Sequence, residues 1–194
     1  MSDLHNKRNI FHVAADLFSR KGYNGVSIQE ICELAGVTKP TLYYYFKSKK
    51  NLYSQLISES INSFEKYAGL SVRKDLDFFS NMERVLIEIK RFVQDNPDYT
   101  RFIIRLHFVN LIEEEKMIDE EFHVERFRKL KDFFMTGIES GDLAKDLDID
   151  LACAFFVNTT NFLVTHILKK TKFIRHNDPD LIKNLTSFLK KMYT

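Results

Sequence analysis

The sequence predicts an all-α protein of about nine helices, with an amino-terminal helix-turn-helix domain of three helices and a larger helical domain behind it. Three observations predict this. Only six glycines and three prolines occur among 194 residues, too little turn material for a sandwich or barrel but enough for long helices with short connections. Apolar residues recur at helical spacing along most of the chain. Between Ser27 and Ser48, capping and stop signals follow one another at the distances expected of short helices.

The first helix, about Leu4 to Lys21, places Ile10, Ala14, Leu17 and Phe18 on one face, with Phe11 and Ala15 beside it. Arg20 and Lys21 fall in its last turn, where the helix dipole favours cations, and Gly22 ends it. Asn24 and Gly25 turn the chain into a second helix. Ser27 followed by Glu30 forms a capping box at its start, and Gly36 supplies the left-handed residue that stops it. Thr38 caps a third helix whose Pro40 sits in the first turn, and Ser48 caps a fourth. Two short helices around a glycine-containing turn make a helix-turn-helix, with the second placed to read DNA.

At about 100° per residue, Leu42 and Phe46 share one narrow, buried sector of that reading helix. Pro40, Thr41 and Tyr44 point the opposite way, toward base edges. Lys39, Tyr43 and Tyr45 lie on the flanks, where a helix in a major groove meets the two walls of phosphates. Lys47, Lys49 and Lys50 extend the basic border, and the Ser27 hydroxyl stands where it can cap its helix and also face a phosphate. Residues 1–53 carry eight basic and four acidic side chains, leaving 21 basic against 23 acidic for the rest. A basic module on a mildly acidic body suits phosphate binding by one end.

The stretch from Ile10 to Tyr23, then Val26, Ser27, Ile31, Leu34 to Thr38, Leu42, Tyr43, Phe46, Lys49 and Leu52, resembles the DNA-binding domain of the tetracycline-repressor (TetR) family. The resemblance runs from about residue 8 to 55 without a gap. Val26-Ser27 stands where two threonines are common, Cys32 where alanine is usual, and Tyr45 where many members carry histidine. The resemblance implies a homodimer that binds a palindromic double-stranded operator through Ser27, Thr38, Lys39, Pro40, Thr41, Tyr43, Tyr44, Tyr45, Lys47 and Lys49. It also implies a repressor released by a small apolar effector.

Beyond the reading head, a fourth helix reaches about Tyr67, and residues 69–75 break the pattern. We place the domain boundary at 53/54, inside that helix, giving a DNA-binding domain over 1–53 and a ligand-binding and dimerisation domain over 54–194. A fifth helix with Met82, Leu86, Ile89 and Val93 in register ends near Asp95, at Asn96-Pro97. A sixth takes in Tyr99 to about Ile112, and Glu113 to Lys116 reads as a solvated connection. The seventh runs from about Ile118 to Ser140, the eighth from Ile149 to Lys170, and Asp178-Pro179 caps a ninth. Residues 137–152 resemble the turn between the seventh and eighth helices of the same family.

Fifteen of the eighteen phenylalanines follow residue 53. That is more aromatic surface than one face per helix buries, and it predicts a cavity or an interface. For the cavity the candidates are Phe64, Phe78, Phe92, Phe102, His107, Phe127, Phe134, Phe155 and Phe162. Helix eight carries a polar stripe through Asn158, Asn161 and Thr165 that fits a pocket wall or a dimer seam. In the TetR family helices eight and nine pair as a four-helix bundle, which favours the seam and adds Leu181, Leu185 and Phe188 of helix nine.

Cys32 and Cys153, far apart in sequence, form neither a disulfide framework nor a zinc spacing. No histidine pair has the i, i+4 spacing of a helical metal site, and no phosphate loop or nucleophile elbow occurs, so we expect no cofactor, no metal and no enzyme. The start of the chain lacks a signal peptide's apolar segment, and the longest apolar run, Leu151 to Val157, is too short for a bilayer, so a cytoplasmic protein is expected. Two other classes compete: a helical carrier of apolar ligands, and a DNA-binding protein without a ligand. The outward Thr41 and Tyr44 speak against the first, the phenylalanine-rich body against the second.

Overall fold

The computed structural model describes residues 2–68, 73–108, 113–169 and 179–194. Among these residues there are nine helices: α1 (Ser2–Lys21), α2 (Ile28–Ala35), α3 (Lys39–Tyr45), α4 (Lys49–Ala68), α5 (Phe78–Asp95), α6 (Pro97–Phe108), α7 (Glu113–Ser140), α8 (Ile149–Lys169) and α9 (Leu181–Tyr193). They form two compact units, one of residues 1–63 with 96–110, the other of residues 64–95 with 111–194. The first unit thus runs past the expected edge at residue 53, and it takes in α6, because α6 packs along α1.

In the first unit the apolar stripe of α1 is the core. Ile10, Ala14, Leu17 and Phe18 are buried together with Ile31 of α2, Leu42 and Phe46 of α3, and Leu52 and Leu56 of α4. Phe102 of α6 joins them, its ring tilted against Phe18 at 6.4 Å. Polar contacts fix the same seam: His12 stacks on Tyr99 at 5.0 Å, and its Nδ1 lies 3.7 Å from the Asp98 carboxylate. These α6 partners were not legible in the sequence, since nothing in the spacing of α6 says which helix it covers.

The second unit is built on the buried face of α5, with Phe78, Met82, Leu86, Ile89 and Val93 packed against Phe134 of α7, Phe156 and Leu163 of α8, and Leu189 of α9. Asn81 closes the loop before α5: its amide donates to the carbonyl oxygens of Arg73, Leu76 and Asp77, and its Oδ1 accepts from the Arg73 N–H. The Tyr193 hydroxyl donates to the Ala152 carbonyl at 3.0 Å and ties the end of α9 to α8.

Three expected boundaries change. The run Glu113 to Lys116 belongs to the first turn of α7 and is not a connection, which suits acidic residues at the positive end of a helix dipole. Helix α6 starts at Pro97, whose missing N–H is no loss at a first helical position, and so takes over directly from α5. Asp180, not Asp178, precedes α9; Asp178 lies outside the described residues, as do residues 109–112 at the expected end of α6.

Candidate nucleic-acid interface

The reading head is assembled by caps. Ser27 Oγ accepts from the Glu30 N–H at 3.1 Å, while the Glu30 carboxylate is engaged by Lys21. Gly36, at φ 65°, then turns the chain left-handed, a conformation that costs a side-chain-bearing residue about 1 kcal/mol or more. The amide of Asn9 on α1 donates to the Ala35 carbonyl at 2.8 Å and holds that turn down. Thr38 caps α3, its Oγ1 accepting from the Thr41 N–H at 3.3 Å and lying 2.8 Å from the Thr41 Oγ1. Ser48 caps α4 by accepting from the Asn51 N–H, and the Asn51 side chain reaches back to accept from the Lys47 N–H. That last reciprocal cap is visible in the sequence as serine followed three residues later by asparagine, a signal that a reading of Ser48 alone misses.

This scaffold sets the faces of α3. Leu42 and Phe46 are fully buried, with Phe46 tilted on Phe11 at 5.1 Å. On the opposite side Tyr44 is 76% exposed, Pro40 is exposed and Thr41 is half-buried, while Lys39 is exposed on a flank. Tyr43 is exposed on one flank, while Tyr45 on the other is half-buried, its ring edge-to-face with Tyr44 at 5.1 Å. Lys47 and Ser27 are exposed. Lys49 is half-buried, its ammonium over the Tyr23 ring. All ten residues expected to meet DNA belong to this unit, and the outward ones form a convex ridge of hydroxyl, ring and ammonium groups. A helix presented this way fits a major groove.

A family profile described as bacterial regulatory proteins, tetR family, matches residues 10–56. Those residues hold α2, α3, the second half of α1 and the first turns of α4. That segment, the helix-turn-helix and its supporting helices, is similar to the tetR family.

Among curated relatives, YdgC of Bacillus subtilis (strain 168), an uncharacterized HTH-type transcriptional regulator, is 27% identical over 100 residues. That alignment covers 50% of this chain and 51% of YdgC, and the chain spans about half the length of the curated relatives it matches. Likeness of fold extends further. The fatty acid degradation regulator FadR from Bacillus halodurans superposes with a TM-score of 0.76 at 19% identity, covering 95% of this chain and 94% of that one. FadR from Bacillus subtilis, in complex with stearoyl-CoA, gives 0.75 at 20% identity over 96% and 99% of the two chains. The tetR family and these relatives are regulators and not enzymes.

The nine residues expected around a cavity are distributed over both units. Phe102 belongs to the first unit, edge-to-face with Tyr53 at 5.4 Å. Phe78 and Phe134 are core rings of the second unit, 5.2 Å apart, and Phe78 stacks on Phe133 at 4.6 Å. Phe64 meets Phe92 edge-to-face at 5.3 Å, Tyr67 meets Phe92 at 5.5 Å, and partly buried Phe127 packs against the core of the second unit. Phe155 and Phe162 are 45% and 38% exposed. The reason is angular: at 100° per residue they lie about 100° around α8 from Phe156 and Leu163, which are buried in the core. The side chain of His107 lies outside the described residues.

Phe155 and Phe162 instead share the outer face of α8 with exposed Leu151 and Asn158, flanked by half-buried Asn161 and Thr165. On α9 the buried face is Ile182, Thr186, Leu189 and Tyr193. Phe188 and Met192 stand 62% and 39% exposed, with Leu181 and Leu185 half-buried at the border. The segment Ile149–Leu168 reaches the length and apolarity of a membrane span, with a third of its window buried; its apolar residues divide between this outer face and the core.

Proposed function

We propose that the protein is a cytoplasmic homodimeric transcriptional regulator, most simply a repressor, that binds a palindromic operator in double-stranded DNA and is released by a small apolar effector. The observation that carries the reading is the α3 ridge: Thr41 and Tyr44 project opposite a fully buried Leu42 and Phe46, between basic flanks. A carrier of apolar ligands has no use for such a ridge. The outer apolar faces of α8 and α9 supply the dimer seam, with Asn158, Asn161 and Thr165 fixing register and Leu181, Leu185 and Phe188 contributing apolar area. A two-fold pair of heads then reads two half-sites separated by about one helical turn or a multiple of it.

For the effector, the rings of Phe64, Phe92 and Phe127 are the favoured lining in the second unit. The stearoyl-CoA bound by a protein of the same fold makes a long acyl chain the first class to test. An effector acts only through its differential affinity for the DNA-competent and DNA-incompetent states, so bound operator must weaken effector binding by the same factor. The experiment is to select operator fragments from genomic DNA with the purified protein, then to titrate acyl-CoA esters into free and operator-bound protein by calorimetry. Weaker binding to the complex is expected. Equal affinities would end the induction reading, and failure to enrich any fragment would end the operator reading.

A further inference from the structure

The Lys49 side chain is held from below. Its Nζ lies over the Tyr23 ring, 4.4 Å from the centroid, and burial holds its pKa under the ordinary lysine value. Tyr23 is in turn braced: its ring meets Tyr53 edge-to-face at 5.0 Å and stacks beside Phe18 at 6.0 Å. Tyr53 stands edge-to-face on both Phe18, at 4.8 Å, and Phe102, at 5.4 Å. Rings from α1, the turn after it, α4 and α6 therefore form one packed column, and the ammonium sits at its end.

We infer that Tyr23 is a positioning residue for DNA: its ring, fixed by Tyr53 and Phe102, holds the Lys49 ammonium where it meets the phosphate backbone. This rests on the DNA-binding reading above. A lysine chain is flexible, and clamping it on a phosphate ordinarily removes several rotatable degrees of freedom. Resting the ammonium on an aromatic face removes part of that freedom before DNA arrives, and the negative face of the ring favours the charged form. Lys49 is only half-buried, so N–H donors turned away from the ring can reach a phosphate oxygen. The column also gives Phe102 and Tyr53 a second task besides core packing, since a shift of either ring moves the seat of the ammonium.

The test combines salt-dependent binding with nuclear magnetic resonance on the full chain. The first probe is a labelled random-sequence duplex, which isolates phosphate contacts from base readout. Tyr23→Leu is expected to weaken binding about 3- to 10-fold and to lower the slope of log affinity against log salt by up to about 0.9 per head, the contribution of one phosphate contact. Tyr23→Phe, which keeps the ring, restores both. In a Lys49→Gln background the leucine substitution should have no further effect. Where Tyr23→Leu fails to fold, pentafluorophenylalanine at position 23 keeps the ring but reverses its quadrupole, and should give the same losses.

The second readout needs no DNA. After reductive methylation, the Lys49 methyl signal, assigned by its absence in Lys49→Arg, should be shifted upfield by the Tyr23 ring and should lose that shift in Tyr23→Leu. An unchanged salt slope in Tyr23→Leu, or an equal loss with and without Lys49, would overturn the inference while leaving DNA binding intact. A parent protein that shows the upfield shift yet binds no duplex would overturn the DNA-binding reading, and this inference with it.

Discussion

Replacing Phe188 by glutamate should separate the protomers without unfolding them. Phe188 is 62% exposed in the single chain, while Ile182, Thr186, Leu189 and Tyr193 do the packing that holds α9 to its unit. A phenylalanine has about 150–250 Å² to bury, so roughly 120 Å² of this side chain remains for a partner, about 3 kcal/mol at about 25 cal/mol per Å². A two-fold interface uses the residue twice, doubling the loss to about 6 kcal/mol, or about four orders of magnitude in the dimer dissociation constant. The two carboxylates brought into an apolar seam add to this. Sedimentation velocity over a concentration series measures the constant directly, and circular dichroism checks that helix content is kept. Operator affinity should fall with dimerisation, because the second head no longer binds as part of one unit. If the variant sediments as the parent does, with an unchanged constant, α9 is not in the seam and the assignment of Leu181, Leu185 and Phe188 is wrong.

Further outcomes follow from the reading head and the two cores. Thr41→Ala and Tyr44→Ala should relax sequence preference, at about 1–3 kcal/mol for each base no longer read, whereas Lys47→Ala should weaken specific and random DNA alike; competition binding against operator variants distinguishes them, and the reverse pattern would invert our assignment of faces. Thr38→Ala removes the oxygen that serves both the Thr41 N–H and the Thr41 hydroxyl, and should cost about 1 kcal/mol of stability in urea titration; an unchanged midpoint would show that the cap is replaced by water. Alkali should destabilise the fold. Burial raises the Tyr99 hydroxyl and the Cys153 thiol each to about 12, so above their ordinary values the unfolded chain binds fewer protons than the folded one and stability falls as pH rises. Tyr99→Phe should flatten that fall in thermal melts, and an equally steep fall would remove Tyr99 as its source.

The parts of this fold legible in the sequence are those set by local rules. The Ser27, Thr38 and Ser48 caps, the left-handed Gly36 and the buried pair Leu42 and Phe46 all follow from backbone groups needing partners within a few residues. Helix α1 shows the same: its stripe of Ile10, Ala14, Leu17 and Phe18 is buried as the spacing requires. What depends on the partner of a face was not legible. Phe102 and Phe155 are both phenylalanines on amphipathic helices, yet one is wholly buried beside Tyr53 and the other is 45% exposed. Composition marked the body as rich in rings without saying which rings turn inward, and periodicity cannot tell a core face from a seam when both are apolar. The start of α7 failed for another reason: Glu113 to Lys116 has the charge of a loop, but charge at a helix amino terminus is compatible with either state.

In the proposed dimer two α3 ridges read one operator together. The most direct test of this is a titration, at fixed salt, of the purified protein against a selected palindromic fragment, the same fragment with one half-site scrambled, and a random duplex of equal length. Tight binding to the palindrome is expected, with a large loss for the single half-site and a still weaker, strongly salt-dependent affinity for random DNA. Equal affinity for all three would contradict this.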